Sequence, residues 1–404
     1  YADHRLAFDA QTALQLVDDD QRIDQDFSAD DRFFVTNQVN QLLLSQEFTL
    51  KSNHRGPYQW IVGAMGMHQR IDNTVNTQYL AQKLERPATA HLPTSALAVY
   101  HQSSYNFWRG LSATAGLRFD FERASNTYRK VNYSTATPTQ QTVLSEFDHQ
   151  LSFHQFTPRF GLQYLTDAQQ LFYATVTRGY KAGGFNATFR NEAEQTYDPE
   201  YNWNYEIGAK LHFLRRRLTA EMAVFFIDWR QQQVVFTVPG QGNVLLNAGH
   251  STSKGAELAL TAQPLPQWNI QASYGYTLAQ FVDYQKDATT NYADRYLPLV
   301  PRHTLGIEST YTHKLRRGWI DQLRLNVGAQ GVGRIYWTED NEASQPFYAL
   351  LHAKLTADMG PFSLAIWGKN LTQTQYNVYA YKSGSYFAQL GRPLTFGASL
   401  TWNL

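Results

Sequence analysis

The chain has 404 residues, a mass of 46.3 kDa and a formal net charge of +1. Balanced charge leaves no electrostatic footprint for a nucleic acid. The absence of cysteine excludes a thiolate nucleophile, a zinc–thiolate centre and a disulfide framework.

No apolar run approaches the ~18 residues of a membrane helix; stretches such as Ala223–Ile227 are far shorter. Mean hydropathy is −0.46. That index says little for a β-barrel, whose polar inner face cancels its apolar outer face. The sequence opens at Tyr1 without a signal-peptide pattern, as expected if a leader was removed or the chain begins within a longer protein.

In chain order, a weak strand pattern lies in Tyr1–Ala10, and period-two segments then run from about residue 38 to the end. One places Ala113, Ala115, Leu117, Phe119 and Phe121 opposite Thr114, Arg118, Asp120 and Glu122. Others set Trp203, Tyr205, Ile207 and Leu211 against Asn204, Glu206, Lys210 and His212, then Trp268, Ile270 and Tyr274 against Asn269, Gln271 and Ser273. Leu323, Leu325 and Val327 alternate with Arg324 and Asn326, and Leu394 to Leu404 alternate in the same way. One face is grease and the other carries mid-strand charge, so the second face meets water. The segments run about 12–18 residues, against the usual ~5–6 of globular sheets, and aromatics gather near their ends as interface girdles do.

Connections alternate short and long. The short ones are Asn53–Tyr58, Trp108–Gly110, Thr166–Gln170, Leu214–Arg217, Pro264–Gln267 and Met359–Phe362. Long polar connections are expected near 73–93, 129–154, 183–201, 237–244, 285–297, 338–347 and 380–386. The basic runs Arg215–Arg217 and Leu315–Arg317 read as solvated turns. The spacing predicts about sixteen antiparallel strands, an all-β transmembrane barrel over 1–404 with no internal domain boundary.

Several segments taken together resemble a known family: Tyr173–Phe189, Tyr197–Val234, Asn247–Leu260, Val300–Tyr311, Trp367–Tyr379 and Gly391–Leu404. Their order and spacing are similar to the C-terminal barrel of TonB-dependent outer-membrane receptors of the siderophore type. Gly255 would relieve crowding at a strand entry, Pro301 sits where no ladder donor is needed, and Lys369 and Asn370 would face the lumen near the upper rim. The family usually ends in Phe, whereas this chain ends in Leu404. The resemblance implies a barrel of about 22 strands around a plug. On that reading this chain is the last ~16 strands, with the plug, the TonB-binding segment and about six strands absent. It further implies uptake of a ferric siderophore or similar scarce nutrient across a Gram-negative outer membrane, with outer-membrane lipid and TonB as partners. The alternative is a complete 16-stranded passive porin; a soluble sandwich fits the turn–loop alternation poorly.

No catalytic constellation is apparent. Lys181–Phe185 lacks phosphate-loop spacing. Asp148, His149 and His154 have no ligand register, and Ser399 lies inside an amphipathic strand. No metal or cofactor is expected. Ligand contacts are expected at the outer mouth from Arg178, Tyr180, Lys181, Arg295, Tyr336, Trp337, Tyr379 and Tyr381. Guanidinium, ammonium and aromatic groups recognise anionic aromatic chelates by charge-assisted hydrogen bonds and stacking. The other reading of each is a girdle or loop-packing residue.

Overall fold

The period-two pattern becomes sixteen strands in one antiparallel sheet, each strand paired with its neighbours in order. The computed structural model describes the chain except residues 2, 25–28, 31, 188, 239–241, 248, 287–288, 316–317, 384 and 403–404. Arg316, Arg317 and Leu404, named above, therefore lie outside the described residues. The strands are β1 (Leu6–Asp24), β2 (Phe33–Ser52), β3 (Tyr58–Tyr79), β4 (Leu84–Trp108), β5 (Leu111–Ser134), β6 (Thr142–Leu165), β7 (Leu171–Lys181) and β8 (Glu200–Phe213). They continue as β9 (Leu218–Arg230), β10 (His250–Leu265), β11 (Trp268–Asp283), β12 (His303–Lys314), β13 (Gln322–Val332), β14 (Tyr348–Met359), β15 (Phe362–Lys369) and β16 (Thr395–Trp402). Among the described residues β1 pairs only with β2 and β16 only with β15.

The apolar face is bare. Leu16, Leu97, Ile207, Ile366 and Phe396 are all exposed, each at an alternate position of its strand. At the short-turn end the same face carries Tyr105, Trp108, Tyr164, Phe172, Phe213, Tyr311, Phe362 and Trp402, the expected aromatic girdle. The polar face is laced with cross-strand pairs: Lys51–Asp9 at 2.8 Å, Lys210–Glu221 at 3.0 Å, His352–Glu308 at 2.7 Å and Arg324–Asp358 at 2.7 Å. Solvated pairs of this kind contribute only about 0–1 kcal/mol each, so they organise the surface more than they hold the sheet.

Crowding on the polar face explains two glycines. A Cβ on Gly208 would lie 2.4 Å from the Tyr173 ring, and that ring lies flat so that its hydroxyl can donate to Glu206 at 2.8 Å. Gly255 is inside β10 rather than at its entry, but a Cβ there would meet the Tyr276 carbonyl and the Phe225 ring.

Two expected long connections are strand instead. Residues 73–93 continue β3 and β4 to a four-residue link at 80–83, and residues 129–154 continue β5 and β6 to a link at 135–141. Alternation vanishes there because both faces meet water, so nothing selects grease on either. The ladder persists, and polar side chains tie its top: Tyr133 Oη donates to Glu85 at 2.8 Å and Asn76 Nδ2 at 2.9 Å. β4 has 25 residues. Some 9–11 residues suffice to cross a bilayer, so at ~3.3 Å per residue and ~45° tilt β2–β6 rise roughly twice the height of an apolar band.

Candidate functional site

Five long connections, all at one end of the sheet, join into a single collar. It begins where β7 and β8 lean onto the polar face of the tall strands. Gln155 Nε2 donates to the Tyr201 hydroxyl at 2.8 Å, Tyr128 Oη to the Ala187 carbonyl at 3.1 Å, and His149 Nε2 meets Gln195 Oε1. Within this connection, residues 182–199, Gly184–Phe185 pairs with Thr196–Tyr197. A bidentate Arg190–Glu194 pair braces a single helical turn, Glu192–Glu194. The Arg190 guanidinium holds the Glu194 carboxyl below its ordinary range.

The second connection, residues 231–249, is a hairpin of Gln233–Val238 with Gly242–Asn247. It is fastened to the first by buried side chains. Asn186 Nδ2 donates to the Leu245 carbonyl at 2.7 Å and to the Glu194 carbonyl at 2.9 Å, while its Oδ1 accepts the Leu245 N–H at 2.9 Å. The Gln233 N–H donates to buried Glu200 at 2.6 Å, and Gln233 Nε2 to the Ala182 carbonyl at 2.8 Å. Val234 then packs with Ala279, Phe281, Tyr284, Tyr292 and Leu297. Ala279 and Phe281 occupy polar-face positions of β11, so the hairpin folds inward.

The third connection, residues 284–302, adds itself to the free upper edge of β11: the Leu297 N–H donates to Ala279 O and the Phe281 N–H to Arg295 O, both at 3.0 Å. Burial raises the Tyr284 phenol, and it raises the Glu339 carboxyl of the next connection. Tyr296 stacks on Tyr336 of that fourth connection, residues 333–347, at 5.2 Å and 3°, with the Arg302 guanidinium 4.6 Å from the Tyr296 ring centre. Asn341 brackets the Tyr296 backbone at 2.7 and 2.9 Å. The fifth connection, residues 370–394, joins through Gln345 Oε1, which accepts the Asn377 N–H at 2.9 Å, and through Trp337 edge-on to Tyr379 at 6.2 Å. Tyr379, Tyr381 and Phe387 continue as a stacked row.

A TonB dependent receptor-like beta-barrel profile matches residues 1–371. The chain belongs to the TonB-dependent receptor family. It is 27% identical over 214 residues to the probable TonB-dependent siderophore receptor PiuA of Acinetobacter baumannii, an alignment covering 51% of this chain and 28% of PiuA. The ferric yersiniabactin uptake receptor FyuA from Yersinia pestis superposes with a TM-score of 0.85 at 19% identity, over all of this chain and 59% of FyuA. The ferric citrate transporter FecA superposes at 0.75 with 18% identity, over 99% of this chain and 60% of FecA. The chain thus spans about three fifths of those solved receptors and a smaller part of the curated relative.

In a receptor barrel the polar face lines the lumen, and the collar folds over its mouth. The eight expected contact residues all lie at this end, in two groups. Tyr336, Trp337, Tyr379 and Tyr381 come together across two connections. Trp337 is buried and Tyr336 is covered by Tyr296, so both act first as clasps; Tyr379 is 46% exposed. Arg178 and Tyr180 sit on β7 beside Tyr201, with the Arg178 guanidinium 4.9 Å from the Tyr201 ring centre. Lys181 stays exposed, 4.0 Å from Glu200, and Arg295 is exposed in the third connection. Asn370 departs from expectation. It is buried rather than lumen-facing, has a φ of +50°, and closes its own turn by bonds to Thr374 and the Arg392 carbonyl. The buried pins Asn186 and Gln233, the half-buried Asn341 and the stacked Tyr296 were not legible, because each acts on a connection far away in sequence.

Proposed function

We propose that this chain is the barrel portion, residues 1–404, of an outer-membrane receptor that imports a ferric siderophore or similar scarce nutrient with energy delivered through TonB. Membership of the receptor family supports this reading, as do relatives named for ferric siderophores. The observation that carries it is the inward-folded collar, which presents aromatic and cationic groups over a polar lumen. Two sheet edges without a partner strand among the described residues suit a barrel completed by further strands, with a plug inside, and the passive-porin alternative has no such support. The residues proposed to meet the ligand directly are Tyr379, Arg295 and Lys181. Arg178, Tyr180, Tyr336, Trp337 and Tyr381 would shape the surface around them.

The test is uptake of radiolabelled ferric siderophores by iron-starved cells expressing the full-length protein. Tyr379→Ala with Arg295→Ala is expected to lower binding at least tenfold at unchanged surface display, and loss of TonB to abolish uptake. Uptake that persists without TonB would refute energised transport and restore passive diffusion.

A further inference from the structure

One apolar furrow lies not in the mouth but on the outer face. It holds about 430 Å³ and crosses β10 to β14. Its small residues are Ala272 on β11, Ala329 on β13 and Ala349 on β14, and larger ones stand among them, including Leu260, Ile307 and Phe347. Small residues at register positions where neighbours carry Leu and Ile leave an apolar groove across these strands.

What lies above the furrow has a different chemistry. Tyr274 at its upper end shares a 2.9 Å hydrogen bond with His303 Nδ1, and Tyr276 packs on the same imidazole. Lys254 occupies the outer-face position two residues above Ala256, the register partner of Tyr276. Among the described residues its ammonium makes no ion pair. A lysine on this face costs about 2–4 kcal/mol at mid-bilayer but about 0–1 near the interface, so it marks the headgroup level. Asp228 with Arg230 at 2.9 Å, and His250 on the same carboxylate, lie above it in the aqueous zone.

We propose that this furrow seats an acyl chain of a phosphate-bearing outer-leaflet lipid, with Lys254 and His303 holding its headgroup. The occupant follows from the combination: an apolar groove inside the apolar band, and at its headgroup end a lysine without an ion pair among the described residues beside an imidazole held by Tyr274. The proposal rests on the outer-membrane reading. It needs no siderophore, so its failure leaves the uptake assay standing.

The test is native mass spectrometry of the full-length protein released from vesicles containing equal phosphatidylglycerol and diacylglycerol of matched chains. Wild type is expected to retain phosphatidylglycerol about tenfold over diacylglycerol. Lys254→Gln with His303→Gln should erase that preference. Ala329→Leu should fill the groove and remove both adducts, and Ala349→Leu should repeat this should the first variant not fold by heat-modified gel mobility. Equal retention of the two lipids by wild type, or an undiminished phosphatidylglycerol adduct in the filled variants, overturns the proposal.

Discussion

Replacing Asn186 by alanine should unfasten the collar at a single rivet. Asn186 is buried and makes three hydrogen bonds, to the Glu194 carbonyl at 2.9 Å and to both backbone groups of Leu245 at 2.7 and 2.9 Å. Alanine leaves two carbonyls and one N–H without their partner. Two of these bonds cross the joint between residues 182–199 and 231–249, so at about 1 kcal/mol for each net bond lost it weakens by about 2 kcal/mol. At 1.36 kcal/mol per tenfold, local opening rises about 30-fold. The Leu245 amide donates directly to the lost oxygen, so it reports the change. Hydrogen exchange on the folded protein should show its protection falling about 30-fold, with the β8–β9 ladder unchanged. A drop of less than about fivefold would mean the hairpin is held by other contacts, and the rivet reading would be wrong.

Gly208→Val should destabilise the sheet by about 1–3 kcal/mol through overpacking against Tyr173; urea unfolding checks this, and adding Tyr173→Leu should recover most of the loss. At Asn370, with its φ of +50°, alanine should be worse than glycine by about 1 kcal/mol, because only glycine keeps that backbone without strain. Thermal melts of the two variants decide it. The Arg190–Glu194 brace depends on a carboxyl held below its ordinary value of 4.5. Its contribution is complete above that value and is lost as pH falls through the depressed one. Amides of residues 190–195 should therefore exchange faster below pH 4 relative to their intrinsic rates, and Glu194→Gln should flatten that dependence.

The sheet was legible wherever the bilayer selects residue type. Strict alternation in β5, β8 and β11, and short turns such as Leu214–Arg217, follow from one greasy and one wet face. Above the apolar band the same backbone carries no such mark, and β3–β6 therefore looked like loop at 73–93 and 129–154. The site was half legible for a similar reason. Exposed Arg, Lys and Tyr near strand ends can be named from composition, so all eight expected residues fall at the end of the sheet that carries the long connections. Which of them touch, and which serve as clasps, depends on pairings such as Tyr296 with Tyr336 or Trp337 with Tyr379. Those pairings join residues about 40 positions apart, and no local period encodes them.

The mouth has two unlike sides, a tall wall in β2–β6 and a riveted collar on β7–β16. They tolerate sequence change differently. One residue inserted into the wall slips a ladder and turns every side chain beyond it to the opposite face, whereas the tips of the connections accept insertions between their rivets. Lineages diverging under attack on this surface should therefore vary in length along one arc of the rim and keep the other nearly constant. An antibody or phage adhesin that relies on the wall would meet the more conserved target.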